Sequence, residues 1–188
     1  MRASRLCLLL GVCSSTIFAV RAQEVVHALS GTVSAIDSKD KTIDIKTADG
    51  SEGMFKDLTK ADVALDFDKA IRSNSTPAEN FSKQGVNVIV FYYGDADVRT
   101  VVALRDLGPG PFTRSNGTVD KYNRHEHLLV LKDSTGATQS FHIDPKTVVE
   151  GAVGAIEGDR YDPQKGERLY VLSAAGNGNA EALFIRLQ

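Results

Sequence analysis

The chain has 188 residues, 22 basic and 24 acidic, for a formal net charge of −2; it is 42% hydrophobic, with no tryptophan and two cysteines. These values suit ordinary globular material of one or two domains. They exclude a polybasic nucleic-acid binder, because neutralising phosphates needs clustered Lys and Arg.

The first element, residues 1–22, has the three parts of a secretory signal. Arg2 and Arg5 precede an apolar run from Leu6 to Val20, and Val20-Arg21-Ala22 supplies the peptidase site. The expectation is cleavage after Ala22 and an exported mature chain, periplasmic or extracellular. The run is interrupted by Ser14, Ser15 and Thr16, and falls short of the roughly 20 apolar residues of a span. No later run approaches that length, so no membrane span is expected in the mature chain. Cys7 and Cys13 both lie in the leader. The mature chain then has no disulfide and no thiol for catalysis or metal binding. Losing Arg2, Arg5 and Arg21 leaves 19 basic against 24 acidic residues, a charge of −5.

The mature chain repeats itself. Ser30 to Phe55 recurs with a shift of 86 as Asn116 to Phe141, with Gly31-Thr32-Val33 on Gly117-Thr118-Val119. A later block recurs with a shift of 81, Gly85 on Gly166 and Val90 on Val171. Two copies of roughly 80 residues are too few and too long for a solenoid, so they predict a tandem of similar small domains. The expected boundaries are 23–107 for the first β-barrel repeat, 108–112 for a linker and 113–188 for the second.

In the first repeat, His27 to Asp37 reads as a strand. Thr42 to Thr47 alternates apolar and polar, the period of a strand with one wet face. Asp49-Gly50 is a hairpin signal and Gly53 to Lys56 the returning strand. A helical insertion is expected over 57–84. Thr76-Pro77-Ala78-Glu79 has the form of a capping box with proline at the first helical position, which predicts a short helix over Pro77 to Gln84. A further short helix or turn is expected over Leu65 to Arg72. Val86 to Tyr93 is apolar on both faces: Val86, Val88 and Val90 point one way, Ile89, Phe91 and Tyr93 the other. Such a strand needs cover on both sides. Gly94 to Asp97 reads as a turn and Val98 to Leu107 as the closing strand.

Gly108-Pro109-Gly110-Pro111 breaks pairing and predicts a semi-rigid linker. The second repeat replays the order with strands at Thr113 to Tyr122, Leu128 to Lys132 and Gln139 to Ile143. A glycine-rich connection (Gly151, Gly154, Gly158) replaces the insertion. Leu169 to Ala174, a Gly176 to Asn179 hairpin and Ala182 to Leu187 complete it. The predicted class is mainly β: two tandem five-stranded OB-like small barrels with one short helix in the first.

The Gly-Thr-Val start, the second strand, the Asp/Thr-Gly turn, the phenylalanine and Asp144-Pro145-Lys146-Thr147-Val148-Val149 resemble a family of uncharacterised exported bacterial domains of OB-like fold, often found in tandem. The resemblance spans nearly the whole mature chain and is clearest in the second repeat. It implies the fold and an envelope location, and supplies no catalytic residues.

Three constellations bear on function. Ile89, Phe91, Tyr93, Phe112 and Tyr170 form either an exposed ligand face, as OB-type barrels use, or the packing face between the repeats. His125, His127 and His142 could hold Zn, Cu or Ni at one barrel end; the alternative is a set of wet histidines beside a turn. Asp95 with Asp97, and Asp66 with Asp68, lack the spacing of a calcium loop. No cofactor is expected. The sequence therefore favours a non-catalytic exported protein, expected as a monomer, whose partner is an unknown envelope ligand or protein. The alternatives are a periplasmic metal binder using the three histidines, and a hydrolase acting on envelope polymers.

Overall fold

A computed structural model describes residues 23–47, 52–57, 63–94, 99–176 and 178–188. The leader 1–22, the Asp49-Gly50 turn and the Asp95/Asp97 pair lie outside the described residues, as does Asn177 within the last hairpin.

The fold is mainly β and is built on two large sheets. The first part of the chain forms β1 (Glu24–Val25), β2 (His27–Asp37), β3 (Thr42–Thr47), β4 (Glu52–Asp57) and β5 (Leu65–Asp66). A one-turn helix α1 (Lys69–Ser73) follows, then β6 (Thr76–Pro77), β7 (Asn87–Tyr93) and β8 (Thr100–Gly108). The second part forms β9 (Phe112–Asn123), β10 (Leu128–Lys132), β11 (Thr138–His142), β12 (Val148–Gly151), β13 (Gly154–Glu157), β14 (Arg168–Ala174) and β15 (Ala180–Leu187). The first large sheet runs β4-β3-β2-β7-β8-β6 and the second β11-β10-β9-β14-β15-β12-β13; β1 and β5 make a small separate pair.

The two sheets share one register. Ser34 is an extra residue between the pairs Val33–Ile45 and Ala35–Asp44. Asp120, 86 residues on, is the extra residue between Val119–Leu131 and Lys121–Val130. Each bulge bends its long strand. In the first sheet β4 also pairs in parallel with β8, Lys56 beside Thr100. In the second, β11 pairs in parallel with β15 at the matching place, His142 beside Glu181. These short pairings curl each sheet back on itself. Gly31 is required by a close approach: a Cβ there would lie 2.5 Å from Ile45 Cγ2 and 2.7 Å from the Lys46 carbonyl oxygen. Gly117 faces the same crowding, 2.9 Å from the Lys132 carbonyl oxygen. The Gly-Thr-Val repeat thus marks where two strands cross closely.

Three apolar clusters result. Leu29, Val33, Ile43, Ile45, Phe55, Val88, Val90 and Leu104 fill the inner side of the first sheet. Val119, Leu129, Leu131, Phe141, Ile143, Leu169 and Val171 do so in the second. The third cluster is shared: Val26, Ala28, Ile71, Ile89, Phe91 and Val102 meet Val148, Ala155, Tyr170, Leu172 and Phe184. β7 is covered on both faces as its sequence demands, by its own sheet's interior and by the second sheet.

Two local expectations are corrected. The helix over Pro77 to Gln84 does not form. Thr76 and Pro77 instead pair with Leu104 and Ala103 of β8, and only a single 3-10 turn, Ala78–Asn80, follows. Ala78 and Phe81 are drawn into the first sheet's interior, so tertiary burial outweighs the local capping pattern. Among the described residues the α-helix is α1, where Asp68 Oδ1 accepts from the Ala70 and Ile71 amides at 2.9 and 3.1 Å, an N-cap that secures the first turn. The glycine-rich connection of the second part is in fact the hairpin β12–β13. Gly154, with φ +98°, turns it close against β1, where an added Cβ would lie 2.5 Å from Val25 Cγ1.

Candidate functional site

All five residues of the expected aromatic face, Ile89, Phe91, Tyr93, Phe112 and Tyr170, lie in the shared cluster between the sheets. Ile89 and Phe91 are fully buried and Tyr170 is 6% exposed. Phe91 stacks at 5.3 Å on Phe67, from the segment before α1, and Arg105 covers it at 5.8 Å. On the other side Arg186 lies 5.6 Å over Tyr170. Arg105 and Arg186 are 81 residues apart and do the same work in the two copies. Their guanidinium planes cap aromatic rings at the rim of the shared core.

Polar bonds close that rim. The Glu150 carboxylate accepts from the Ala28 amide at 2.7 Å and contacts His27 Nδ1 at 2.7 Å. Burial pushes the Glu150 carboxyl above the usual range, against the opposing effect of these two hydrogen bonds. The Ala155 amide donates to the Val26 carbonyl at 2.9 Å. Arg105 donates to the Lys146 carbonyl at 2.6 Å, and Arg160 to Asp68 Oδ2 at 2.6 Å. Asp68 thereby caps α1 with one oxygen and receives Arg160 with the other. Sequence reasoning missed Glu150 and His27. They are 123 residues apart, and no local pattern joins them.

The histidines divide. His127 and His142 approach across the β10–β11 hairpin with ring centroids 6.3 Å apart. His125 sits in the preceding turn, where its amide donates to Asn123 Oδ1. All three are exposed. Among the described residues no group of three or more His, Cys, Asp or Glu is arranged to hold a metal ion. Asp66 and Asp68 are likewise not part of such a group.

Concave surface lies at the edges. A cleft of about 330 Å³ at the junction of the sheets is lined by Asn74, Ile89, Arg105, Asp106, Leu107, Lys146 and Leu183. Its one carboxylate, Asp106, is engaged by Lys83 at 2.6 Å, so no carboxylate pair suited to hydrolysis faces it. A cleft of about 490 Å³ beside the short β11–β15 pairing has an uncharged lining that includes Thr113, Gln139, Ser140 and Asn179. A third, of about 530 Å³, lies over β9, β10 and β14 and is lined by Asn116, Thr118, Lys132, Asp133, Arg168 and Gln188, among others. Among the described residues, no helix is long and apolar enough to cross a membrane.

No protein-family model matches the chain, and no curated protein matches it.

Proposed function

We propose that this is an exported, non-catalytic protein of two five-stranded OB-like small barrels, serving in binding or as a structural part of the cell envelope. The observation that carries the proposal is the shared core. Phe91 and Tyr170, one from each copy, are buried between the sheets, with Tyr93 and Phe112 partly buried against them. The repeated register, with matching bulges at Ser34 and Asp120, supports two barrels of one design. The leader pattern and the resemblance support the compartment. Binding then falls to the surface clefts.

The test uses cell fractionation followed by incubation of the mature protein with purified envelope material and with chromogenic ester, glycoside and peptide substrates. Recovery outside the cytoplasm and retention on envelope material without turnover are expected. Product release from any substrate class, or a cytoplasmic protein with no envelope retention, would overturn the proposal. The contact between His127 and His142 favours a second reading as a metal binder. Calorimetric titration with Zn, Cu and Ni tests it, and absence of heat ends it.

A further inference from the structure

The cleft over β9, β10 and β14 carries two cations that the fold does not use. Thr118 is the register partner of Arg168 on one side and of Lys132 on the other. Arg168, Thr118 and Lys132 therefore form one row across three strands, and all three are exposed. The outer two Cα atoms are about 10 Å apart, two strand spacings. All three residues line the same cleft. Among the described residues the ion pairs are Lys83–Asp106 and Arg160–Asp68, with His27 also in contact with Glu150, and neither Arg168 nor Lys132 takes part in one.

The nearby carboxylates are engaged elsewhere. Asp133 accepts from the Thr135 amide and hydroxyl and from the Ala137 amide, which ties it to its own turn. Glu167 accepts from the Tyr161 hydroxyl and the Gln164 amide. The Asp133 carboxylate itself lines the cleft beside Lys132, together with Ser134 and the Gln188 side-chain amide, which donates to Asn116 Oδ1 at 2.8 Å.

The first sheet supplies an internal comparison. The matching row is Asn87, Thr32 and Lys46. There Thr32 donates to Asn87 Oδ1 at 3.2 Å, so the row satisfies itself. In the second sheet arginine replaces the asparagine, and no such bond forms. Among the described residues the Arg168 guanidinium takes part in no ion pair.

We infer that Arg168, Lys132 and Thr118 form a binding site for a phosphate group, held between the guanidinium and the ammonium with the hydroxyl beneath. Arginine supplies a planar donor pair matched to phosphate oxygens, and lysine a mobile point charge. This site rests on the binding role proposed above and names its ligand chemistry. The phosphate belongs either to a soluble ester or to an anionic lipid headgroup.

Two arms separate the sources: calorimetry with inorganic phosphate, and cosedimentation with vesicles of phosphatidylglycerol in phosphatidylcholine against phosphatidylcholine alone. Binding in at least one arm is expected, weakened about tenfold by each of Arg168→Asn and Lys132→Gln, the loss of one charge-assisted contact. Arg168→Asn restores the residue of the first sheet, and both positions are exposed. Amide shifts of Gly117 and Thr118 on phosphate addition to the unaltered protein provide a readout independent of the variants. No binding in either arm, or variants that bind as tightly as the parent, overturns the site. Envelope retention that persists in the double variant overturns this site alone; loss of retention in the parent itself removes the binding role.

Discussion

Replacing Phe91 with alanine tests whether the two sheets stand or fall together. Phe91 has no exposed surface and sits in the cluster contributed by both sheets, against Phe67 and under Arg105. Truncating a buried phenylalanine costs about 3–5 kcal/mol, from lost transfer energy and the cavity left behind. For a chain of this size each kcal/mol moves the midpoint by about 2–4 °C, so the melting temperature should fall by about 6–20 °C. The assay is thermal unfolding of residues 23–188 followed by circular dichroism and by calorimetry. Phe55→Ala in the first interior and Phe141→Ala in the second are the controls, at 0% and 2% exposure. With a shared core, all three variants lower one common transition. Two transitions, with Phe91→Ala moving only one of them, would refute the reasoning, as would a Phe91→Ala midpoint within a degree of the parent.

Other outcomes follow from single contacts. Gly31→Ala and Gly117→Ala should each destabilise by about 1–3 kcal/mol, because the new Cβ meets backbone that cannot move aside. Gly31 should be the worse, since its Cβ would have the closer neighbours; urea unfolding measures both. Burial raises the Glu150 carboxyl, so the folded protein holds that proton more tightly than the unfolded chain does. The contribution of this group to stability is therefore highest at low pH. It declines as pH rises from the ordinary glutamate range through the raised value. Comparing the parent with Glu150→Gln over that range should show the parent losing relative stability with rising pH. A relative gain would contradict the burial argument. His27, Tyr92 and Arg186 face the same carboxylate and belong in the fit.

Much of this architecture is legible in the sequence because it rests on short-period patterns. Alternation along β3 and β10 puts Ile43, Ile45, Leu129 and Leu131 inside. The opposed sets Val88/Val90 and Ile89/Phe91 do fall into different clusters. The repeat offset carries the rest: it places Arg168 on Asn87 and Lys132 on Lys46, so the asymmetry of the phosphate row could have been read before any coordinates. Other features are not local. The capping box at Thr76 is a sound signal that loses to β8 pairing and to the burial of Ala78 and Phe81. Gly151, Gly154 and Gly158 read as a loose connection, but glycine is also what lets β12 and β13 turn against Val25. The Glu150–His27 contact joins residues 123 positions apart, which no local sequence window contains.

The most direct test of two repeated sheets docked through one core is a set of nuclear Overhauser contacts in the mature protein, measured between the Ala155 amide and the protons of Val26, and between Gly154 and the Val25 methyls. The bonded Ala155–Val26 pair at 2.9 Å predicts strong cross-peaks and a single tumbling time for both halves. Absent cross-peaks with two independent tumbling times would contradict the docked arrangement.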